Sequence, residues 1–350
     1  MTDISLLAWI WIISCGLAAA AVALMLLLIL KRVVSSFYAA RDLRRRAVLE
    51  GLLIDALDDP AALDKLPLST HDRLILGDIA IDFANSIRGD TQQMLVDVMD
   101  RLQIEQIYTD SVTSADAEIR EKAVRGLSLF DSDLSFDALW RGLKDPSPAI
   151  RLSAARKIVD SERAFEAQAF IEMLEIGTVV RSRELRPIVA KLAKRDPDGV
   201  FKALSATSNA DRRLFLIYAL GRSGRFDFAD DLMPMTMSDN PNERAETIRA
   251  LGSLGNPDAK VAVMMALEDR AWEVRAQAAQ AAGDIGLKMA IPHLAGLLSE
   301  KEWWVRYRAA WALWNLGDEG RARLTPGNLA SKRAANIAKL VLAEATEKVT

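Results

Sequence analysis

Residues that could do acid–base or metal chemistry are few in this chain. There are two histidines, His71 and His293, and one cysteine, Cys15, which lies inside an apolar segment. His71 is followed by Asp72 and His293 by Leu294, and we find no cluster of histidine, cysteine and acidic residues at ligand spacing. We therefore predict no catalytic residue, metal site or cofactor, and no small-molecule substrate, and we expect that the protein is not an enzyme.

A basic run is the first of three features that could bind a partner. Its candidate binding residues are Arg181, Arg183 and Arg186, and further lysines and arginines continue it to residue 225. Such a surface could dock an acidic protein or anionic lipid. The alternative is that these side chains form the solvated face of a helix.

Methionines supply the second feature. Met233, Met264 and Met265 lie in neighbouring stretches that we expect to be second helices of a repeated unit, together with Met235 and Met237. Flexible thioethers suit an adaptable protein interface, but they also fill irregular gaps in a core.

Tryptophans near the end of the chain are the third feature. Trp303, Trp304, Trp311 and Trp314 fall within twelve residues of one another. Tryptophan is enriched among residues that dominate binding interfaces, although one of these positions is equally suited to packing between repeated units. We expect Trp303 to stack on Trp272.

The N-terminal segment predicts a membrane helix. Residues 4–30 contain 27 consecutive residues without a charge, which exceeds the ~20 that cross a bilayer. Six basic residues follow within residues 31–46 and none precedes, so the positive-inside rule places the N-terminus outside and the rest in the cytoplasm. These membrane-flanking residues are Lys31, Arg32, Arg41, Arg44, Arg45 and Arg46. They could also contact anionic lipid.

Two other interpretations of this segment are weaker. A signal peptide would have a basic start and a shorter apolar core. A lipoprotein cleavage site at Cys15 would leave a second apolar stretch behind the lipid.

Without glycine or proline between Gly16 and Gly51, the membrane helix can continue into the cytoplasm. The overall charge of −3 leaves an acidic body after this basic stretch, which argues against nucleic-acid binding.

A repeat of 31 residues organises the remainder of the chain. Arginine recurs at this interval from Arg120 to Arg306, with Ser182 replacing it once. We refer to the arginines at these positions as anchor arginines. The residue seven positions after each anchor position is apolar throughout: Leu127, Ile158, Val189, Leu220, Leu251, Ala282 and Leu313. A second apolar column reads Leu139, Phe170, Phe201, Leu232, Val263 and Leu294. A period of this length is typical of stacked helical hairpins.

Glycine pairs such as Gly252 and Gly255 should end the first helix of a unit, and Asn-Pro or Asp-Pro should begin the next. We predict an all-α fold in which a transmembrane helix precedes an α-solenoid. The predicted domains are residues 1–30 with the tail and membrane helix, 31–50 as a basic juxtamembrane helix, 51–116 as divergent helical units, 117–325 as the repeats, and 326–350 as a C-terminal capping helix.

The repeated pattern of acid, short turn, Val-Arg, Ala-Ala and closing glycine resembles HEAT repeats, of the short bacterial type found in phycobilisome-lyase-like proteins. Residues 269–286 are the best match. The resemblance implies an armadillo-like binding scaffold. It also implies that anchor arginines pair with an acid in the preceding turn, as Asp269 does before Arg275 and Glu300 before Arg306. The iron-dependent hydroxylase of this superfamily carries histidine–glutamate ligand pairs that are missing from this sequence.

We therefore expect a scaffold in the bacterial inner membrane that binds a membrane-associated protein. One alternative is a lyase or modifying enzyme of phycobilisome-lyase type. Another is a signalling adaptor whose tether reports on the membrane.

Overall fold

A computed structural model describes residues 3–65, 67–84, 90–175 and 184–347. Within these ranges every regular element is a helix, which confirms the all-α prediction. The chain divides into two compact units, Met1–Ala138 and Leu139–Thr350. The domain boundaries expected from the sequence remain a prediction.

The first part of the chain contains α1 (Asp3–Asp58), α2 (Thr70–Ala84), α3 (Asp90–Arg101), α4 (Ile104–Ser111), α5 (Ala117–Leu127) and α6 (Asp133–Gly142). The helices that follow are α7 (Pro148–Asp160), α8 (Ala167–Met173), α9 (Leu185–Arg195), α10 (Pro197–Ala206), α11 (Ala210–Leu220), α12 (Phe228–Leu232) and α13 (Pro241–Leu254). The last helices are α14 (Lys260–Ala266), α15 (Trp272–Asp284), α16 (Ile291–Leu297), α17 (Trp303–Asn315), α18 (Asp318–Ala322) and α19 (Lys332–Glu347). Short 3₁₀ turns lie at Pro60–Lys65, Met233–Met237, Pro257–Ala259, Lys288–Ala290 and Pro326–Asn328.

Helix α1 is continuous over 56 residues, and it runs through the stretch between Gly16 and Gly51 in which the sequence has no glycine or proline. Its stretch Trp11–Ile29 has a mean hydropathy of 2.7, is 0% buried, and is the one described segment long and apolar enough to cross a membrane. The C-terminal end of the same helix is different. Leu49, Leu53 and Ala56 are each fully buried in the first unit. The same helix therefore has an exposed apolar segment near its N-terminus and a buried segment near its C-terminus.

Two of the predicted membrane-flanking arginines pair with α2. Arg45 donates to Asp72 at 2.7 Å, and Arg46 donates to Asp82 at 2.6 Å. Arg44 is exposed. The side chains of Lys31, Arg32 and Arg41 lie outside the described part of the structure. The basic stretch thus contributes to the fold as well as flanking the apolar segment.

Tyr108 of α4 fills a slot that two glycines open in the first unit. The side chain is buried, and a Cβ atom built on Gly77 of α2 would come within 2.1 Å of its hydroxyl oxygen. A Cβ on Gly126 of α5 would come within 2.1 Å of its ring. Both positions need glycine because the ring occupies the space of a side chain.

The 31-residue repeat is confirmed by burial. All seven residues of the first apolar column are 0% exposed. In the second column Phe201 is half-buried and the other five residues are buried. Within the second unit the stacked helix pairs thereby share an apolar layer, as the amphipathic pattern predicts.

The paired glycines have two different roles. Gly255 ends α13 in the left-handed region, with φ 71°, and donates to the carbonyls of Gly252 and Leu251. Gly252 is instead a packing residue, because a Cβ there would lie 2.7 Å from the Cβ of Ala281 on α15. The same close approach recurs one period before, at Gly221 against Ala250, and one period after, at Gly283 against Ala312. The prediction that both glycines of each pair end the helix is therefore wrong for Gly252 and Gly283, which lie within α13 and α15. Gly221 does cap the end of α11.

The last helix of the described chain covers the end of the repeats. Helix α19 packs against α17 and buries Ala334, Ile337 and Val341. The second helix of the last unit is reduced to the five residues of α18.

Candidate protein-interaction surface

The anchor arginines Arg244 and Arg275 connect adjacent repeats and are structural. Arg244 donates from Nη1 to the carbonyl of Ser238 at 2.8 Å, in the turn before its own helix. Its Nε and Nη2 both lie 2.8 Å from the carboxylate of Asp269, in the turn of the next unit. Arg275 repeats this arrangement with the carbonyl of Asp269 at 2.8 Å and the carboxylate of Glu300 at 2.7 Å.

This geometry corrects the ladder that the resemblance implied. Arg275 does contact Asp269, six residues before it, but through the main-chain carbonyl of that residue. Burial alone would raise the pKa of Asp269, but the hydrogen bonds from Arg244 and from the amide of Ala271 outweigh it and lower the pKa. The carboxylates therefore link one unit to the preceding one, and these arginines are not available to a ligand.

Intramolecular partners also occupy much of the predicted basic run. Lys191 pairs with Asp160 at 2.7 Å, and Arg225 pairs with Asp227 at 2.5 Å. Arg195 donates to the carbonyl of Ser161 at 2.5 Å and to that of Arg163. Arg213 binds Glu243 at 2.6 Å. Arg181 and Arg183 lie outside the described residues.

Arg186 is the one candidate binding residue of this run that the structure describes, and it lies over an aromatic ring. Its guanidinium carbon lies 4.6 Å from the centre of the Tyr218 ring, on α11. Arg222 lies 5.9 Å and Arg249 5.2 Å from the same centre. Three arginines from different turns and helices thus converge on one half-buried tyrosine. We call these four residues the Tyr218 cluster.

Tyr218 belongs to a face that recurs on every first helix from α11 to α17. The face consists of the residue two positions before each anchor arginine and the residues two, five and nine positions after it. This spacing places them on one side of the helix. We call this surface the first-helix face. Its members are Asp211, Phe215, Tyr218 and Arg222 for α11, Asn242, Glu246, Arg249 and Ser253 for α13, Glu273, Gln277, Gln280 and Asp284 for α15, and Trp304, Arg308, Trp311 and Asn315 for α17. All of them are exposed or half-buried.

Several polar atoms on this face have no hydrogen-bond partner in the described part of the chain. They are Nε of Arg249, Oε1 of Gln277 and Nη1 of Arg308, each of them buried as an atom. Burial lowers the pKa of Arg308, and the positive charge of Arg249 lowers it further, against the attraction of Asp284. The sequence predictions include Trp304 and Trp311 but not the face as a whole, because its columns mix aromatic, acidic and basic residues and show no common property.

The predicted methionines line a groove in part. Met233 and Met264 are half-buried, whereas Met265 is 60% exposed. Met265 and the exposed Met237 lie on the wall of a groove of about 350 Å³, and the Arg244–Asp269 pair is also in its lining. Met233 to Met237 form a 3₁₀ turn rather than the α-helix that we predicted. Pro234 within this stretch lacks the amide hydrogen that a continuing α-helix would use.

The predicted tryptophans separate into an exposed pair and a covered pair. Trp303 and Trp304 are 42% and 52% exposed, and their rings meet edge to face with centres 4.8 Å apart. Trp303 also stacks on Tyr307 at 4.8 Å with an interplanar angle of 14°. We call these three residues the aromatic patch. The hydroxyl of Tyr307 donates to Glu344 of α19 at 2.8 Å, which ties the patch to the cap.

The other two tryptophans are half-buried. Arg321 lies over the ring of Trp314 at 4.5 Å. Within the described residues no ring contact joins Trp303 to Trp272, so the predicted stacking between repeats is wrong. Instead, the ring that stacks on Trp303 is that of Tyr307, one turn along the same helix.

The histidines take structural or surface positions. His71 is exposed in the first turn of α2, where Ser69 and Asp72 cap the helix reciprocally. His293 lies 3.3 Å from Glu268. Across the described ranges, no group of three or more histidine, cysteine, aspartate or glutamate side chains is placed to hold a metal ion.

Comparison with known proteins gives a local family match and distant structural likeness. No curated protein matches the chain. An engineered protein is 18% identical over 85% of this chain and 94% of its own, with a TM-score of 0.35. Kap121p bound to Pho4p is 12% identical over 84% of this chain and 38% of its own, with a TM-score of 0.45. The complex of CpcE and CpcF of phycocyanin lyase from Nostoc sp. PCC7120 is 17% identical over 79% of this chain and 96% of its own, with a TM-score of 0.30.

The family match is to the model described as HEAT repeats, over residues 261–325. These residues run from α14 through α18 and include the two most regular units of the sequence. This part of the chain is therefore similar in sequence to HEAT repeats.

Proposed function

We propose that the protein is a single-pass membrane protein whose helical repeats form a cytoplasmic scaffold for another protein, and that it acts by binding rather than catalysis. The course of α1 carries this proposal. The stretch Trp11–Ile29 is 0% buried, so its apolar surface is not the core of either unit. Exposure of this apolar surface to water would carry a large free-energy cost, whereas the hydrocarbon core of a bilayer would bury it.

The packed end of α1 supports a stiff tether. Leu49, Leu53 and Ala56 are buried, and Arg45 and Arg46 pair with α2, so the helix enters the first unit without a flexible linker. At 1.5 Å per residue, the sixteen residues from Ile29 to Arg45 span roughly 24 Å. The scaffold would therefore stand at a defined height above the inner surface of the membrane, where the excess of basic residues places it.

The aromatic patch is the surface that best fits a protein partner. Two neighbouring tryptophans that are 42% and 52% exposed leave apolar area in water. Such aromatic groups are enriched among the residues that dominate protein interfaces. The hydrogen bond between Tyr307 and Glu344 holds the patch in place, so little side-chain entropy is lost on binding.

Membrane attachment is tested by alkaline carbonate extraction of the full-length chain from native membranes. We expect the full-length chain to stay with the lipid and a chain of residues 44–350 to be released. This cut retains Arg45, Arg46 and the buried Leu49, so unit 1 keeps its contacts. Release of the full-length chain would exclude a transmembrane segment.

Partner binding is tested by cross-linking in cells and purification of the full-length chain in detergent. We expect Trp303→Ala/Trp304→Ala to lose the cross-linked protein. Val261→Ala/Met289→Ala is the matched control, because both of its side chains are 61% exposed. The scaffold proposal fails if the unaltered chain retains no protein, and the patch is not the site if both double variants behave alike.

A further inference from the structure

The Tyr218 cluster carries three guanidinium groups, and one of them is neutralised by an ion pair. Arg249 pairs with Glu246. Within the described ranges, neither Arg186 nor Arg222 lies at ion-pair distance from a carboxylate, and the contacts of both are with the ring of Tyr218. A ring stabilises guanidinium groups through its π face but accepts few of their N–H donors. The cluster therefore presents open donors to an anion.

The first-helix face carries a further arginine on its last helix. Arg308 on α17 is half-buried and keeps a buried Nη1 without an acceptor, as Arg249 does with its Nε. Buried donors of this kind destabilise the protein until an acceptor reaches them. Asp284 is an acid on this face, and burial raises the pKa of its carboxyl although Arg222 and Arg308 attract it. Asp211 and Glu273 lie at the N-terminal edge of the helices, so an anion would be confined to the middle of the face.

Helix spacing indicates which acidic ligand fits. Packed helices lie 8–10 Å apart. An extended segment in the polyproline II conformation presents every third side chain on one side, about 9 Å apart. Carboxylates at every third residue would thus meet successive first helices.

We propose that the first-helix face binds an acidic, extended segment of a partner protein, with one carboxylate at the Tyr218 cluster and another at Arg308. This inference deepens the proposed scaffold function and rests on it. Its anion-binding residues, the Tyr218 cluster and Arg308, are not members of the aromatic patch, although the two surfaces share Trp304. A carboxylate between Arg186 and Arg222 would receive charge-assisted hydrogen bonds from both guanidinium groups.

The test measures fluorescence anisotropy of a labelled peptide with the full-length protein in neutral detergent. The probe is a peptide of about twelve residues with glutamate at every third position and serine or glycine between, and its control carries glutamine instead. We expect the glutamate peptide alone to bind, with an affinity that falls as salt rises. Arg186→Gln/Arg222→Gln should weaken binding about tenfold.

The matched control is Lys260→Gln/Lys301→Gln, which removes the same charge from exposed positions outside this face. It should change the affinity less than about twofold. Equal losses in both double variants, or unchanged binding in the arginine variant, would overturn the proposal. Binding of phosphatidylglycerol vesicles that depends on Arg186 and Arg222 while the glutamate peptide does not bind would assign the face to lipid and also overturn it. If the cross-linked partner is retained but the peptide fails to bind, this inference fails and the scaffold proposal stands.

Discussion

The guanidinium of Arg244 donates to the carboxylate of Asp269, 25 residues further along the chain, through two hydrogen bonds of 2.8 Å each. Arg244 also donates to the carbonyl of Ser238, so one side chain ties the turns of two successive units. The Arg275–Glu300 pair repeats the link one unit later. Stability in a repeat protein depends on such interfaces between neighbours, because each unit contacts only the adjacent ones.

Arg244→Ala should destabilise the protein by about 3 kcal/mol, because the variant leaves Asp269 without its cation in a partly buried position. Hydrogen exchange of α13 and α15 in the full-length protein measures the effect locally. Lys191→Ala is the control, since its pair with Asp160 is about half exposed and should contribute about 0.5 kcal/mol or less. Similar protection losses in both variants would contradict the interunit role of Arg244.

Acid should weaken the contact between α1 and α2 through Asp72. The hydrogen bond from Arg45, joined by those from Ser69, outweighs burial and holds the pKa of Asp72 well below its ordinary value. A carboxyl whose pKa is lower in the folded than in the unfolded protein stabilises the fold at any pH above its pKa in the unfolded protein. This stability is lost as the pH falls toward its pKa in the folded protein. The urea midpoint should therefore fall from pH 5 to pH 3.

Asp72→Asn tests that assignment. It should lower the midpoint at pH 7 and flatten the decline between pH 5 and pH 3. Asp82→Asn serves as the control, because its pair with Arg46 is exposed and should have a smaller effect. A decline of unchanged steepness in Asp72→Asn would show that other carboxyls cause it.

Tyr108 should be needed for its ring and not for its hydroxyl. The hydroxyl is buried without a hydrogen-bond partner in the described part of the chain, and burial raises its pKa. Tyr108→Phe should leave stability unchanged or raise it by up to about 1 kcal/mol, because it removes an unsatisfied polar atom. Tyr108→Ala should cost about 3–5 kcal/mol through the cavity left between Gly77 and Gly126. Chemical denaturation followed by circular dichroism compares the two variants, and an equal loss in both would mean that the hydroxyl has a partner.

The periodic part of the fold was predictable from sequence, because burial imposes one chemical requirement on each column. Leu220, Leu251 and Leu313 occupy the same position in their units and are all 0% exposed. The first-helix face was not predictable in this way. Tyr218, Arg249 and Trp311 also occupy equivalent positions, but solvent-facing positions share no required property, so no column stands out.

Contacts between distant parts of the chain were also beyond the sequence. Arg45 follows an apolar helix and fits the pattern of a membrane-flanking cation. Its ion pair with Asp72 forms because α2 packs against α1, and no local sequence pattern predicts that contact. Trp304, Trp311 and Trp314 exceed what the repeat needs for packing, whereas Trp303 occupies a position of the repeat itself. Their role in binding a partner stays a prediction.

Gly252 within α13 and Gly255 at its C-terminal end should respond differently to alanine. Gly252→Ala places a Cβ 2.9 Å from the Cα of Ala281, and neither backbone can move without separating α13 from α15. We expect a loss of about 2–3 kcal/mol from this overpacking. Gly255→Ala meets no atom within 4 Å but must adopt a φ of 71°, which should cost about 1–2 kcal/mol. Hydrogen exchange separates these causes: Gly252→Ala should expose amides on both α13 and α15, and Gly255→Ala only those at the end of α13. If the two variants expose the same amides, the first glycine is a turn residue after all, and the close helix packing does not depend on it.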